Sequence, residues 1–293
     1  MAGTLLVIVG AVLAVVHLRP AASQAATGSP SRRPAQAVGA RPSSPAAHSD
    51  SPRATADPRR STPARRTRPS RPARPLAGKV IGIDPGHNGG NAADPSYINH
   101  LIWNGRESET CDTTGTETNG GYTEARFNFN VATYLRADLR RAGARVVLTR
   151  TSNDGVGPCV TRRARILDAA HAGVAIDIHA DGGPPGGRGF TVLEPVADGP
   201  NNTVIGSSTR FGSDVRAAML SDTSMPVSTY DGHGGVQPRD DLAGLNLTTV
   251  PKVLIECGNM RNAVDAQMLT SAWFQRRLAA AFTAAITRFL AHP

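Results

Sequence analysis

The chain has 293 residues and a formal net charge of +9, but the charge does not lie where a nucleic-acid-binding fold would need it. Residues 19–77 hold twelve Arg against two acids (Asp50 and Asp57), which is +10; residues 1–18 carry no charged side chain, so 78–293 carries about −1. A basic folded surface is therefore excluded, no nucleic-acid partner is expected, and the 216 residues from 78 onward suffice for one hydrophobic core.

Leu5 to Leu18 is an apolar run of 14 residues, shorter than the roughly 20 that a membrane span requires. The small residues Ala21, Ala22, Ser23 and Ala25 follow it. Residues 1–25 thus read as a secretory signal, cleaved or kept as an N-terminal anchor, although the usual basic start is missing. Export to the periplasm or cell wall is the expectation. The next segment, to residue 77, is rich in Pro, Arg, Ser and Ala, and 19–77 holds 11 of the 22 Pro. With no apolar periodicity it cannot bury enough surface to offset the entropy of ordering it. It reads as a disordered linker whose charge suits an anionic wall polymer or membrane surface, or as a plain solvated spacer.

The folded region, 78–293, opens with Lys79–Ile83, a β-branched run typical of a buried strand, which leaves into the loop Asp84-Pro85-Gly86-His87. Residues 91–121 read as an irregular insertion, and a loop of that length inside a domain is usually functional, here a candidate lid. From Glu124 to Arg141 the positions Phe127, Val131, Tyr134, Leu135 and Leu139 recur at helical spacing, with Thr123 as N-cap. Arg145–Arg150 reads as a strand and Val160–His171 as a helix. Val174–His179 is the next strand and Gly189–Leu193 a fourth, with a helix over Ser208–Leu220. Residues 221–250 give little signal beyond a short helix or lid at Leu242–Leu247. Val253–Cys257 reads as a buried strand, followed by helices at Ala263–Leu269 and Ala272–Leu290. The alternation predicts a single α/β domain: a mostly parallel, twisted sheet of about six strands with helices on both faces.

Four chemistry-bearing residues stand at element ends. His87 ends the first strand, Glu124 opens a helix, His179 ends a strand, and Glu256 ends the last strand. In open α/β sheets such ends line the ligand crevice. Two imidazoles and one carboxylate (His87, Glu124, His179) plus a water match the ligand set of an open catalytic zinc site, with Glu256 as general base. Glu256 as a fourth ligand would instead close the site. Asp84 and Asp177 are candidates for supporting the ligands, since Asp177 and His179 share a strand face. His233, in Gly232-His233-Gly234-Gly235, is a candidate substrate contact. Of the three cysteines, Cys111 and Cys159 lie in loops and form the natural disulfide of an exported protein, leaving Cys257 buried and free.

These motifs resemble those of the zinc-dependent N-acetylmuramoyl-L-alanine amidases of bacterial cell-wall metabolism, and the Pro/Arg tail looks like that of exported mycobacterial members. The resemblance is carried by Asp84-Pro85-Gly86-His87, Glu124, Ile178-His179-Ala180 and Val253-Leu254-Ile255-Glu256-Cys257-Gly258, and it spans roughly 79–290. It implies Zn²⁺ bound by His87, Glu124 and His179, Glu256 as the catalytic residue, and cleavage of the amide between the lactyl group of N-acetylmuramic acid and L-alanine. Peptidoglycan fragments would be the substrates and a monomer is expected. Many relatives have Ser and Asn where this chain has Asp177 and Asp181. The competing readings are another cell-wall zinc hydrolase (carboxypeptidase or deacetylase) and a non-catalytic wall-binding regulator.

Overall fold

The computed structural model describes residues 74–292. The signal or anchor at 1–25 and the linker as far as residue 73 lie outside the described residues. In chain order the elements are β1 (Val80–Pro85), α1 (Pro95–Ile98), β2 (Leu101–Trp103), β3 (Ser108–Thr110), α2 (Glu124–Arg141), β4 (Arg145–Leu148), α3 (Val160–Ala169) and β5 (Val174–Asp181). There follow β6 (Thr191–Pro195), α4 (Ile205–Asp222), β7 (Val236–Arg239), α5 (Ala243–Asn246), β8 (Lys252–Asn259), α6 (Ala263–Leu269) and α7 (Ala272–Ala291).

Six strands form one sheet in the order β4-β1-β5-β8-β6-β7, and only the β6–β8 pairing is antiparallel. The two central strands, β5 and β8, are nearly continuous apolar runs because helices cover both faces. Their period of two assigns each side chain to a layer. Ile176, Ile178, Val253 and Ile255 join the main core with Phe127, Val131, Leu135 and Leu139 of α2, Phe211 and Val215 of α4, and Phe274, Leu278 and Phe282 of α7. Ala175 packs with Leu167 of α3, and Leu254 with Leu245 of α5, on the opposite face. Asp177, His179, Lys252 and Glu256 share that second face by alternation.

The main core is what holds α2 in place, and therefore Glu124 at its first residue. Truncating a buried ring such as Phe127 to Ala costs about 3–5 kcal/mol. No helix among the described residues is long and apolar enough to cross a membrane.

Two regions differ from the sequence reading. The insertion is not irregular: α1 and the antiparallel β2–β3 hairpin occupy it. Strands of three residues leave too short a pattern to register, and Leu101 and Trp103 point outward, 70% and 61% exposed, which hides the alternation. The sixth strand, β7, lies in the stretch that gave little signal, because its sequence Val-Gln-Pro-Arg carries a Pro suited only to an edge.

Candidate metal centre

The loop after β1 carries His87 in the left-handed region, φ +55, which costs a non-glycine residue roughly 1–2 kcal/mol. Two buried arginines hold the loop there. Arg163 of α3 uses all five of its N–H donors: on the carbonyls of Pro158 (2.8 Å), Pro85 (2.7 Å) and His87 (2.9 Å) and on the carboxylates of Asp84 and Asp112 (3.1 Å each). Arg150 donates to the carbonyls of Pro85 (2.8 Å), Gly86 (3.1 Å), Ala125 (2.8 Å) and Ser152 (2.9 Å), and to Asn153 Oδ1 (3.0 Å). The loop is thus locked to α2 and α3 before any ligand arrives.

His87, Glu124 and His179 come together, with one ligand atom from each lying within 4.8 Å of the others. Glu124 Oε2 is 3.2 Å from His87 Nε2, and its Oε1 is 2.8 Å from His179 Nδ1. The outer nitrogen of each ring faces a carboxylate. His87 Nδ1 donates to Asp112 Oδ1 at 3.1 Å, and His179 Nε2 is 3.3 Å from Asp177 Oδ1. The insertion crosses the pair: Thr113 Oγ1 is 3.2 Å from His87 Nδ1, and the Thr116 N–H donates to Glu124 Oε2 at 2.9 Å.

Two glycines make room for this packing. A methyl group at Gly86 would collide with the His179 ring. At Gly115, whose φ is +71, a Cβ would stand 2.7 Å from both Glu124 Oε2 and His87 Cδ2.

Glu256 lies across the β5–β8 ladder from His179, and its Oε2 is buried with no hydrogen-bond partner. Burial, reinforced by the Glu124 and Asp181 carboxylates and opposed by the nearby imidazoles, pushes its carboxyl up to about 8. Burial opposes a charge on His87, but Glu124 and Asp112 outweigh it and raise the imidazole to about 9. Glu124 is held well below the usual carboxylate range, since the two imidazoles overcome its burial.

The donor set fits zinc. Two imidazole nitrogens and a carboxylate oxygen converge, a carboxylate stands behind each ring (hydrogen-bonded to His87, 3.3 Å from His179), and a buried carboxylate oxygen beside them lacks any partner. A cavity of about 180 Å³ adjoins both rings, walled on its apolar side by Leu242, Leu245 and Leu254.

The other candidate residues fall as follows. Asp177 reaches His179, whereas Asp84 touches neither ring and instead accepts from Thr149 Oγ1 (2.5 Å), Arg163 and Lys252. His233 is exposed in a tight turn closed by its N–H to Val236 O at 2.8 Å, and among the described residues no side-chain hydrogen bond joins it to the site. Cys111 and Cys159 are not bridged: both are buried free thiols, and the Cys159 thiol donates to the Cys111 carbonyl at 3.2 Å. The pairing in space is nevertheless close, since their sulfurs and a His100 nitrogen lie within 4.8 Å of one another. Cys257 is buried and free.

Sequence reasoning missed Asp112, Arg150, Arg163 and Tyr230. Arg163 carried a signal: it falls on the buried stripe of α3 with Ala164 and Leu167, where an unpaired arginine is not tolerated. Tyr230, whose hydroxyl donates to Asp181 Oδ2 at 2.8 Å, comes from the stretch without periodicity.

The profile of the family described as N-acetylmuramoyl-L-alanine amidase matches residues 81–288. An N-acetylmuramoyl-L-alanine amidase of Mycobacterium tuberculosis is 38% identical over 218 residues, covering 74% of this chain and 88% of that protein. Among solved structures, the apo form of the N-acetylmuramyl-L-alanine amidase Ami1 from Mycobacterium abscessus is 40% identical with a TM-score of 0.69, covering 73% of this chain and all (100%) of that one. Ami1 from Mycobacterium smegmatis is 38% identical with a TM-score of 0.70, covering 74% and 99%.

Proposed function

The chain belongs to the N-acetylmuramoyl-L-alanine amidase family, and from that premise we propose that this amidase is a zinc hydrolase of peptidoglycan stem peptides. The bond cut is the amide between the lactyl group of N-acetylmuramic acid and L-alanine. His87, Glu124 and His179 hold the zinc, and Glu256 is the general base. The observation that carries this reading is the convergence of those three ligand atoms within 4.8 Å beside a buried carboxylate oxygen that has no partner.

Zinc, when bound, supplies a Lewis acid that polarises the scissile carbonyl and acidifies a water molecule. The protein's own part is orientation and proton transfer. Asp112 and Asp177 turn the rings so that His87 Nε2 and His179 Nδ1 face Glu124. Glu256 takes the proton of the attacking water on its free oxygen and delivers it to the leaving nitrogen, whose lone pair must be protonated before the amine departs.

The reading extends to location. The apolar run at Leu5–Leu18 supports export, and the basic segment 19–77 supports attraction to an anionic wall polymer or membrane surface. In an oxidising compartment Cys111 and Cys159 would form a disulfide, for which their proximity is the support.

The test pairs zinc content with chemistry. Purified protein should hold one zinc per chain and release the peptide from a muramoyl-dipeptide fragment with a free L-alanine amine. A free D-alanine or acetate product, or full activity after complete metal removal, would overturn it.

A further inference from the structure

Behind the two rings runs an unbroken line of buried charges. Asp112 Oδ1 accepts from His87, and Asp112 Oδ2 is 3.1 Å from Arg163 Nη2. Arg163 Nη1 is 3.1 Å from Asp84 Oδ1, and Asp84 Oδ2 is 2.6 Å from Lys252 Nζ. Lys252 Nζ is 2.9 Å from Asp177 Oδ2, and Asp177 Oδ1 is 3.3 Å from His179 Nε2. All five linking residues are buried. The line starts at one ring and ends at the other.

Lys252 occupies the position that decides its geometry. It stands on β8 opposite Ala175, so its ammonium lies beside Asp177 on the neighbouring strand and reaches Asp84 one strand further. By engaging Asp177 through Oδ2 it leaves Oδ1 turned to His179, and that oxygen is buried with no well-aligned hydrogen bond of its own. Gly244 of α5 closes the pocket from above, because a Cβ there would come 3.2 Å from Lys252 Nζ and 3.5 Å from Asp177 Oδ2. The chain has 32 basic residues and only two of them are lysine, Lys79 and Lys252. A compact ammonium fits between two carboxylates where a planar guanidinium would not.

We propose that Lys252 is a positioning residue for metal binding: it fixes the Asp177 carboxylate so that Asp177 accepts the N–H of His179 Nε2 and leaves Nδ1 for the metal. The proposal rests on the zinc reading above. It assigns to Lys252 a role distinct from merely neutralising Asp84.

The test measures zinc affinity by chelator competition on the folded full chain, in wild type, K252M, D177N and the double variant. K252M should bind zinc 10–100-fold more weakly, the range for outer partners of metal ligands. The double variant should be little weaker than D177N alone, because Lys252 acts through Asp177. Long-range ¹H–¹⁵N spectra of the zinc-loaded wild type should show the His179 proton on Nε2. Affinity of K252M within threefold of wild type, strictly additive losses, or a His179 proton on Nδ1 would each overturn the proposal. Should K252M not fold, D177N carries the test: a 10–100-fold loss supports it and an unchanged affinity overturns it. A wild-type chain that binds no zinc sinks the zinc reading itself, whereas zinc-replete wild type with an unaffected K252M sinks only the role of Lys252.

Discussion

His179 and Glu256 are direct partners across the parallel β5–β8 ladder. A proposed metal ligand and the proposed base are therefore set side by side by strand register, with no flexible loop between them. A slip of one residue would carry one of them to the opposite face of the sheet.

Glu256→Gln tests the base directly. Gln keeps the size of the side chain and cannot take a proton. Turnover should fall by about 10²–10⁴, while zinc content stays at one per chain. Loss of zinc in this variant would make Glu256 a ligand, and retained turnover would remove it from the reaction.

Removal of a ligand should behave differently. His179→Ala should abolish zinc retention and activity together, whereas chelator-treated wild type should recover activity when Zn²⁺ is returned. The measurement is metal content by atomic spectroscopy beside product release, and zinc-replete, active His179→Ala protein is the outcome that excludes His179 as a ligand.

Much of this was legible in the sequence. β1, β4, β5, β6, β8 and the helices α2, α3, α4, α6 and α7 are long or strongly patterned, and their motifs sit at element ends where sheets bind ligands. His87, Glu124 and His179 are brought together from positions the sequence singled out. What stayed hidden depends on long-range packing. Asp112 lies in an insertion whose three-residue strands carry no usable period, and its link to His87 spans 25 residues. Lys252 opens an apolar strand and looks like a boundary residue until the neighbouring strands place two carboxylates beside it. Asp84 is singled out without partners, because these come from β8, α3 and the residue that follows β4.

Gly86→Ala asks whether the proposed metal ligands need the close approach of backbone to ring. The φ of Gly86 is not in the left-handed region, so the backbone itself accepts Ala. The added methyl must displace the His179 ring. Overpacking of this kind costs about 1–3 kcal/mol, and the zinc affinity should fall by at least tenfold while the fold survives. A variant with wild-type affinity would show that His179 is free to relocate.

Asp84 should mark the acid limit of stability. Burial opposes its charge, yet Lys252 and Arg163 hold its carboxyl far below the usual range. For an acid depressed in the folded state, the contribution is present above its unfolded value, near 3.8, and is lost as pH falls toward the folded one. The loss of this contribution should therefore lower the wild-type melting temperature only below about pH 4. Asp84→Asn breaks a buried pair and should cost about 3–5 kcal/mol near neutral pH. Its melting curve should then fall less on acidification, so that the gap between the two proteins is about 1 kcal/mol smaller at pH 3 than at pH 7. Parallel curves from calorimetry at pH 7, 5 and 3 would contradict the assignment.

The Cys111–Cys159 pair links compartment to site. Cys111 precedes Asp112, which orients His87, and Cys159 caps the helix that carries Arg163, the partner of Asp112. A bridge would close a loop of 49 residues, worth about 4 kcal/mol in the chain-entropy model. Protein matured under oxidising conditions should titrate one thiol after denaturation, that of Cys257, and reduction should lower its melting temperature by about 8–16 °C. Because the bridge would tie Asp112 to α3, reduction should also speed zinc loss to a chelator, and Cys111→Ser/Cys159→Ser protein should match the reduced form in both respects. Three titratable thiols in such protein would mean that the pair stays reduced, and that Asp112 is held by Arg163 alone.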